Sequence, residues 1–372
     1  MNKARIEWGG EILAKDGYGI LTREFLYPIK QDVKLIAEED YVPPEKKYSS
    51  GIWLEELVNS YLKSDAPIRV SFSIPNLYKK IDGKTNIGLS MWDTNMYPIQ
   101  WSQNMSKMDA LIFPSKSMME AYKRTGNNNP CASFKPHINT DRWASTGPIT
   151  EVTSTENSVK YIAEGSYDAR SNFTDLITGF VVAFEGVRDV SLIIKVESEN
   201  VDEQRQIRGK VHELINFLKP RIRPNIMIMF DKLNEEQNAA LFRGCHYYIN
   251  TSTCMALPLG SIRAACCGLP IISGDAPYKT PVPDYLTYKV TSAPVIGINE
   301  ELYRIDQMWS KPDMGSYIHN LRTSLGIYHN KTAYLKLKGD TEKQYRDYYN
   351  GTDLIEVCEA LHEQIQTKQS NK

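Results

Sequence analysis

The stretch from Thr251 to Ser273 holds the densest set of residues that could bind an anion. It opens on three hydroxyl-bearing residues, Thr251, Ser252 and Thr253, and leads into a predicted short helix over 260–267. Side-chain hydroxyls and free backbone N–H groups near a helix N-terminus are suited to a negatively charged ligand. A Gly-Leu-Pro break and a buried strand follow the helix. The stretch therefore predicts a small helix whose N-terminus points at a ligand.

Three cationic side chains are predicted near strand ends or helix starts in the second half of the chain. Arg170 follows one buried strand, Lys195 lies near the end of the next, and Arg263 lies on the short helix. An arginine fork and a helix N-terminus are both good partners for a diphosphate. A surface ion pair is the alternative for Arg263, and its position on the helix favours ligand contact.

A glycine-bearing loop near the N-terminus is a second candidate for close approach of the backbone to a ligand. It lies between a short predicted strand and a helix and contains Gly10, Gly17, Tyr18 and Gly19. Glycine removes the side chain that would otherwise keep a phosphate or a sugar away from the backbone N–H groups. An ordinary tight turn is the alternative interpretation.

The first half of the chain also offers residues for an acceptor. Asn76, Tyr78, Lys79 and Lys80 lie in a basic loop over 76–84, for which a solvated surface loop is the favoured alternative. Trp92 and Asp93 follow a predicted buried strand. A carboxylate at the carboxyl edge of a parallel strand could contact a sugar hydroxyl, and a plain helix-capping role for Asp93 is equally weighted.

Predicted strands alternate with helices along the whole chain, which favours parallel sheets covered by helices on both faces. With 372 residues, 41% of them hydrophobic, the chain is long enough for two ordinary cores. The net charge of -1 gives no global sign of a polyanionic partner. The N-terminus has no apolar signal core, and no segment approaches the length of a membrane span, so we expect a cytoplasmic protein.

Several segments together resemble the retaining glycosyltransferases of the GT-B fold, the family that includes glycogen and sucrose synthases. The resemblance is carried by 257–260 and 264–272, by the run NIGLSMWDTNMYPIQWSQNMSKMDALIFPSKSMMEAYKRTG from Asn86, by KPHINTDRW over 135–143, and by the segment after Val159. It implies an α/β protein with two Rossmann-like domains that face each other across a cleft.

The resemblance also implies an activity: transfer of a sugar from a nucleoside-diphosphate sugar to a hydroxyl acceptor, with retention at the anomeric carbon. No metal and no cofactor are expected, and a UDP-sugar is the expected co-substrate. Asp93, Arg170 and Lys195 are the candidate catalytic residues. The resemblance further implies donor contacts at the nucleobase and at the helix entrance, from Phe230, Lys232, Leu233, Leu259, Gly260 and Ser261.

This sequence departs from the family pattern at three positions. Met255 and Arg263 replace the two glutamates of the Glu-x7-Glu pattern, and Ser171 replaces a lysine that faces the diphosphate in the family. The second glutamate usually holds the donor ribose. We therefore expect Arg263 to supply the charge of the lost lysine while the usual ribose contact is given up.

The expected organisation is an acceptor-side domain over 1–150, a donor-side domain over 151–345 and a C-terminal helix over 346–372 that crosses back to the first domain. Two further functions stay open. The basic loop allows a glycosyltransferase that modifies hydroxylated bases in DNA. The missing glutamates allow a catalytically inactive subunit that binds nucleotide sugars.

The expected role of Arg263 is tested by replacing it with glutamate. Arg263→Glu should weaken donor binding by a few kcal/mol, on the scale of charge-assisted hydrogen bonds. Calorimetric titration with nucleotide sugars measures this directly, and an unchanged donor affinity would remove Arg263 from the site.

Overall fold

The computed structural model describes residues 5–10, 17–36, 65–153, 157–254, 256–275, 284–295, 302–304 and 306–370. The chain divides into two compact units, one formed by Met1–Asn139 with Tyr349–Lys372 and the other by Thr140–Tyr348. The observed boundaries, after residues 139 and 348, differ from the expected ones after residues 150 and 345. Residue 255, one of the departures from the family pattern, lies outside the described residues.

The first unit is built on a parallel sheet. Its strands are β1 Ile6–Gly10, β2 Val33–Ile36, β3 Ile68–Phe72, β4 Thr85–Leu89, β5 Ala110–Phe113 and β6 Cys131–Ser133, in the order β2-β1-β3-β4-β5-β6. Its first helices are α1 Gly17–Leu26, α2 Ile99–Met105 and α3 Lys116–Lys123. Single 3-10 turns cover Tyr27–Ile29 and Pro75–Leu77.

The second unit repeats the parallel arrangement. Its main sheet has the order β12-β11-β10-β7-β8-β9, from β7 Val159–Gly165, β8 Val190–Val196, β9 Asn225–Met229, β10 Tyr247–Asn250, β11 Ile271–Gly274 and β12 Thr287–Tyr288. The strands β13 Val290–Pro294 and β14 Met308–Pro312 form an antiparallel pair. The helices are α4 Phe173–Ala183, α5 Val201–Leu218, α6 Glu235–Arg243, α7 Leu259–Cys266, α8 Met314–His329 and α9 Lys331–Tyr348, and 3-10 turns cover Asp141–Trp143 and Asp284–Leu286.

The last helix, α10 Leu354–Ser370, belongs to the first unit and packs on β3 to β6. It is held by polar contacts as well as by its apolar face. Arg5 donates to both carboxylate oxygens of Glu359, at 2.7 and 2.5 Å, and the Oγ1 of Thr85 lies 2.7 Å from Nδ1 of His362. The contacts attach the C-terminal end of the chain to the strands at its beginning.

The strand sequences explain why both sheets are parallel and buried. Every residue of β5 and β8 is buried, as expected for strands with helices on both faces. In the second unit the strand order runs outward in both directions from β7 and β10, which is the doubly wound Rossmann pattern. Ligands of such sheets bind outside the carboxyl ends of the strands where the winding reverses. In the second unit this switch point lies between β7 and β10.

A buried ionic network joins β1 and β3 of the first unit near the amino ends of these strands. Arg69 Nη1 lies 2.6 Å from Glu7 Oε1, and Lys84 Nζ lies 2.6 Å from the other carboxylate oxygen of Glu7. Arg69 and Glu7 are almost completely buried, so loss of either partner would leave an uncompensated charge inside the sheet.

His246 lies just before β10, at the opposite edge of the second sheet from the switch point. Its Nδ1 accepts a hydrogen bond from the backbone N–H of Lys160 at 2.9 Å. Burial is the main cause that lowers the pKa of His246, to about 4, and the nearby cations of Lys160 and Lys338 add to the shift. The folded protein therefore holds this imidazole neutral.

The low pKa of His246 predicts a loss of stability in mild acid. The unfolded chain takes up a proton near pH 6.5 and the folded chain only near pH 4, so the free energy of unfolding falls as the pH falls through this window, by up to roughly 3 kcal/mol. His246→Asn keeps an acceptor for Lys160 and should flatten the dependence of the melting temperature on pH. The exposed His319, changed to Asn, is the control that keeps the wild-type dependence. Equal pH dependence in all three proteins would refute this account.

Candidate functional site

Glu164 and Lys195 lie side by side at the carboxyl edge of the second sheet. They are register partners on the neighbouring parallel strands β7 and β8, so their side chains leave the sheet on the same face. The Lys195 side chain is only 2% exposed, and its Nζ lies 3.6 Å from Oε1 of Glu197, whose own side chain is 85% exposed. A buried ammonium group beside a partly buried carboxylate thus marks the switch point.

Helix α7 begins against this pair. A Cβ atom added to Gly260 would lie 2.2 Å from the hydroxyl oxygen of Tyr248 and 2.7 Å from Oε1 of Glu164. Both distances are shorter than any real Cβ contact, so only glycine lets the helix start come this close to the strand ends. One turn further along α7, the guanidinium of Arg263 lies over the ring of Trp143, 4.9 Å from its centroid.

These groups influence each other electrostatically. Burial is the largest effect on Glu164 and raises the pKa of its carboxyl, while the positive charges of Lys195 and Arg263 act in the opposite direction. Burial and the neighbouring Glu164 also raise the pKa of Tyr248. The switch point therefore combines two cations, one carboxylate and one protonated phenol. Cations and N–H donors suit phosphate oxygens, and a carboxylate suits a ligand hydroxyl.

Arg170 lies on the loop between β7 and α4. Its guanidinium donates to Oδ2 of Asp168 at 3.0 and 3.1 Å, and the Arg170 side chain remains 46% exposed. The same carboxylate accepts the backbone N–H groups of Arg170 and Ser171 through Oδ1. Asp168 therefore fixes both the loop and the direction of its arginine.

Thr251 and Thr253 hold the β7–α4 loop in place through hydrogen bonds to its backbone. Both are 2% exposed, and their hydroxyls donate to backbone carbonyls of loop residues 169–172 at 3.2 to 3.4 Å. The backbone N–H of Thr253 also donates to the carbonyl of Arg170 at 2.8 Å. These hydroxyls were expected at a helix N-terminus, but α7 begins only at Leu259. Their position is that of loop supports.

The other residues predicted to bind the sugar donor in this unit differ in their exposure. Ser252 is partly exposed, and its N–H donates to Oδ1 of Asn250. Ser261 is buried, and its hydroxyl has no hydrogen-bond partner within the described structure. Leu259 and Leu233 are partly exposed.

The predicted nucleobase contacts have protein neighbours of their own. The guanidinium of Arg208 lies 5.0 Å from the ring centroid of Phe230 and covers one face. Lys232 forms a hydrogen-bonded ion pair with Glu199, and both side chains are largely exposed.

The glycine loop of the first unit is described only in part, since residues 11–16 lie outside the described ranges. Gly10 has φ +151°, and a Cβ there would lie 2.2 Å from the carbonyl oxygen of Phe72. Contact between β1 and β3 thus requires this glycine. Tyr18 packs its ring on Phe72 at 5.1 Å, Gly17 is exposed and Gly19 is buried.

Part of the predicted acceptor set converges at the carboxyl end of β4. The hydroxyl of Tyr78 donates to the carbonyl of Leu89 at 2.6 Å. Asp93 is partly buried, and its charge adds to the main effect of burial in raising the pKa of Tyr97. Trp92 is 7% exposed and packs edge-on against Trp101 at 4.8 Å, so it is a core residue.

The basic loop does not present a free cationic surface. Lys80 pairs with Asp109 at 2.6 Å, at the amino end of β5, and Lys84 belongs to the buried network of Glu7. Asn76 accepts a hydrogen bond from Asn104 at 2.8 Å, and Lys79 is exposed. Lys80 therefore lies at the opposite edge of the sheet from Asp93.

Glu164 on β7 and Tyr248 on β10 were not among the predicted site residues. A charged residue directly after the five buried residues of β7 is the signal that identifies Glu164. Its partners come from β8 and α7, more than thirty residues away in sequence, and only the parallel register brings them together.

Within the described residues, no group of three His, Cys, Asp or Glu side chains is placed to hold a metal ion. In the same part of the chain, no helix has the length and apolarity to cross a bilayer.

Comparison with solved structures gives the fold. The chain aligns over 99% of its length with 99% of Anabaena HepE in complex with UDP-glucose, at 10% identity and a TM-score of 0.59. It aligns over 98% with 99% of the trehalose-6-phosphate synthase OtsA, at 9% identity and a TM-score of 0.65. Sucrose-phosphate synthase of Thermosynechococcus elongatus aligns over all of both chains, at 12% identity and a TM-score of 0.59.

The chain has the GT-B fold. This agrees with the two Rossmann-like units expected from the sequence. No protein-family profile matches the sequence, and no curated protein matches it significantly. The structural likeness at 9–12% identity therefore establishes the architecture, and the function has to be argued from the site.

The close approach at Gly260 predicts an overpacking effect that depends on Tyr248. Gly260→Ala should lower the free energy of unfolding by about 1–3 kcal/mol, because its methyl group overlaps the Tyr248 hydroxyl. Adding Tyr248→Phe removes that oxygen and should recover part of the loss. Gly209→Ala is the control, because open space surrounds this glycine of α5. Additive effects of the two changes in thermal unfolding would contradict the packing at the start of α7.

Proposed function

We propose that the protein is a glycosyltransferase that moves a sugar from a UDP-sugar to a hydroxyl acceptor. The observation that carries the proposal is the set of charged groups at the switch point of the second unit, Glu164, Lys195 and Arg263. Support comes from the shared fold: HepE, which has the same architecture, is described in complex with UDP-glucose.

The proposed role of the cations is to bind the donor diphosphate. Lys195 is buried at the end of β8, and Arg263 is positioned by the ring of Trp143. Arg170 lies on the neighbouring loop, with its direction fixed by Asp168. In a partly desolvated site such preorganised charges stabilise negative charge more strongly than water does. This arrangement suits a leaving group that gains charge as its bond to the sugar breaks.

Glu164 is the proposed acceptor for a hydroxyl group of the donor. The proposed cations can only donate hydrogen bonds, whereas ribose and sugar hydroxyls also need an acceptor. The Glu164 carboxylate lies against the start of α7, beside Gly260. In the family that the sequence resembles, α7 would carry a glutamate where this chain has Arg263. We propose that Glu164 supplies the carboxylate at this place from β7.

We further propose that the transfer retains the configuration at the anomeric carbon and needs no metal ion. The bond between the sugar carbon and the phosphate oxygen breaks, the acceptor oxygen bonds to that carbon, and the acceptor proton passes to the departing phosphate. Arg170, Lys195 and Arg263 supply the positive charge for this step. The sequence resemblance supports retention, and the cationic site supports charge stabilisation by the protein.

The basic loop offers no support for DNA as the acceptor. Lys80 and Lys84, two of the lysines that motivated this hypothesis, are both engaged in ion pairs within the first unit. A carbohydrate or a small glycoconjugate is therefore the acceptor class that we propose.

Binding and hydrolysis of UDP-glucose test the proposal. UDP at a hundred times its dissociation constant should raise the free energy of unfolding by about 2.7 kcal/mol, which a thermal-shift assay detects. Lys195→Met should weaken UDP binding by roughly tenfold to a hundredfold, the value of one charge-assisted hydrogen bond. The exposed Lys336→Met is the matched control and should bind UDP as the wild type does.

The outcomes separate the alternatives. Release of α-configured sugar from UDP-glucose, followed by NMR, supports a retaining transferase. Tight UDP binding with no hydrolysis and no transfer to any carbohydrate identifies an inactive sugar-nucleotide-binding protein. No stabilisation by any nucleotide sugar rejects the proposed site.

A further inference from the structure

The second unit contains a cavity that lies beside α4 and α5. It has a volume of about 780 Å³ and is formed by the β7–α4 loop, the C-terminal half of α5 and the β13–β14 hairpin. Arg170, Lys195, Gly260 and Arg263 are not among its lining residues. We call it the α5 groove, and we define it by Tyr167, Asp175, Lys210, Glu213, Phe217 and Trp309.

Phe217 is the most unusual residue of the α5 groove. The buried face of α5 is formed by Ile207, Val211 and Ile215, which recur every four residues. Phe217 comes two residues after Ile215 and therefore leaves the helix on another side, where its side chain is 80% exposed. An exposed ring that borders a cavity is placed to contact a ligand rather than to fill the core.

Trp309 contributes a buried hydrogen-bond donor. The residue is 4% exposed and lies on β14, and its indole N–H has no hydrogen-bond partner within the described residues. A buried donor that stays unsatisfied costs free energy, which a ligand oxygen or an ordered water could recover. Trp309 also lines the groove, which places the residue that carries this donor in its wall.

The charges of the α5 groove favour a neutral ligand. Asp175 and Glu213 contribute two carboxylates, against the two ammonium groups of Lys210 and Lys311, and the third carboxylate, that of Asp168, is already paired with Arg170. Lys210 Nζ lies 5.9 Å from the ring centroid of Tyr167, so one cation is already turned toward an aromatic face. Mixed donors and acceptors without a net positive charge suit a neutral ligand that carries many hydroxyl groups.

We propose that the α5 groove binds a neutral oligosaccharide. A pyranose ring has an apolar C–H face, which packs on aromatic rings such as Phe217 and Tyr167, and a rim of hydroxyls that can bond carboxylates, ammonium groups and an indole N–H. The cavity lies within the size range of ligand sites. This proposal does not depend on the transferase activity, because none of the proposed donor-binding charges, Glu164, Arg170, Lys195 and Arg263, lines the groove.

Calorimetric titration of the full chain with malto-, cello- and chito-oligosaccharides tests the proposal. UDP is present at saturation in one series and absent in the other, so that binding at the donor site is recognised by competition. We expect one saturable site that UDP does not displace. Phe217→Ala should weaken it at least tenfold, and Trp309→Phe, which keeps a ring and removes the N–H, should weaken it several-fold.

Val201→Ala is the matched control, because Val201 lies on the same helix, is 57% exposed and does not line the groove. It should bind as the wild type does. The proposal is overturned if none of the oligosaccharides binds, if UDP competes with the binding, or if Phe217→Ala binds as tightly as Val201→Ala. The alternative occupant of the groove is a second copy of the chain, which sedimentation of the wild type and of both variants tests. If the wild type self-associates and only Phe217→Ala abolishes this, the groove is a contact between copies, and the proposal is overturned.

Discussion

The candidate site depends on one electrostatic constraint, a carboxylate and an ammonium group held next to each other at the end of two parallel strands. Glu164 and Lys195 are register partners, so the hydrogen bonding of β7 and β8 fixes their separation. Neither charge is fully solvated, and each is costly to bury without the other. Because the sheet winding reverses beside β7, the start of α7 also reaches this point.

Glycine and threonine residues make that convergence possible in different ways. Gly260 lets α7 approach until the Tyr248 hydroxyl and the Glu164 carboxylate would overlap a side chain. Thr251 and Thr253 use their hydroxyls to hold the loop of Arg170. Gly260, Thr251 and Thr253 thus act mainly by fixing the positions of the elements that carry the charged residues.

The architecture could be predicted from the sequence because its signals are local. Buried runs such as those of β5 and β8, separated by amphipathic segments, indicate a parallel sheet without any knowledge of partners. The likeness to GT-B proteins at 9–12% identity shows that the same architecture forms from chains that share few residues. The helix predicted over 260–267 begins one residue earlier in the structure.

The details of the site could not be predicted because they depend on strand register and on which charged or polar groups pair with each other in the folded chain. A sequence shows that Lys80 is basic, but not that Asp109 neutralises it at the amino edge of the sheet. It shows a run of hydroxyls at 251–253, but not that two of them are buried beneath a loop. Glu164 was overlooked for the same reason, since its importance comes from neighbours on β8 and α7.

A crystal structure of the protein soaked with UDP is the most direct test of the central claim. The account predicts diphosphate density at the start of α7, with phosphate oxygens within hydrogen-bond distance of Lys195 and Arg263. Diphosphate bound elsewhere in the second unit, with both cations facing away from it, would contradict the account.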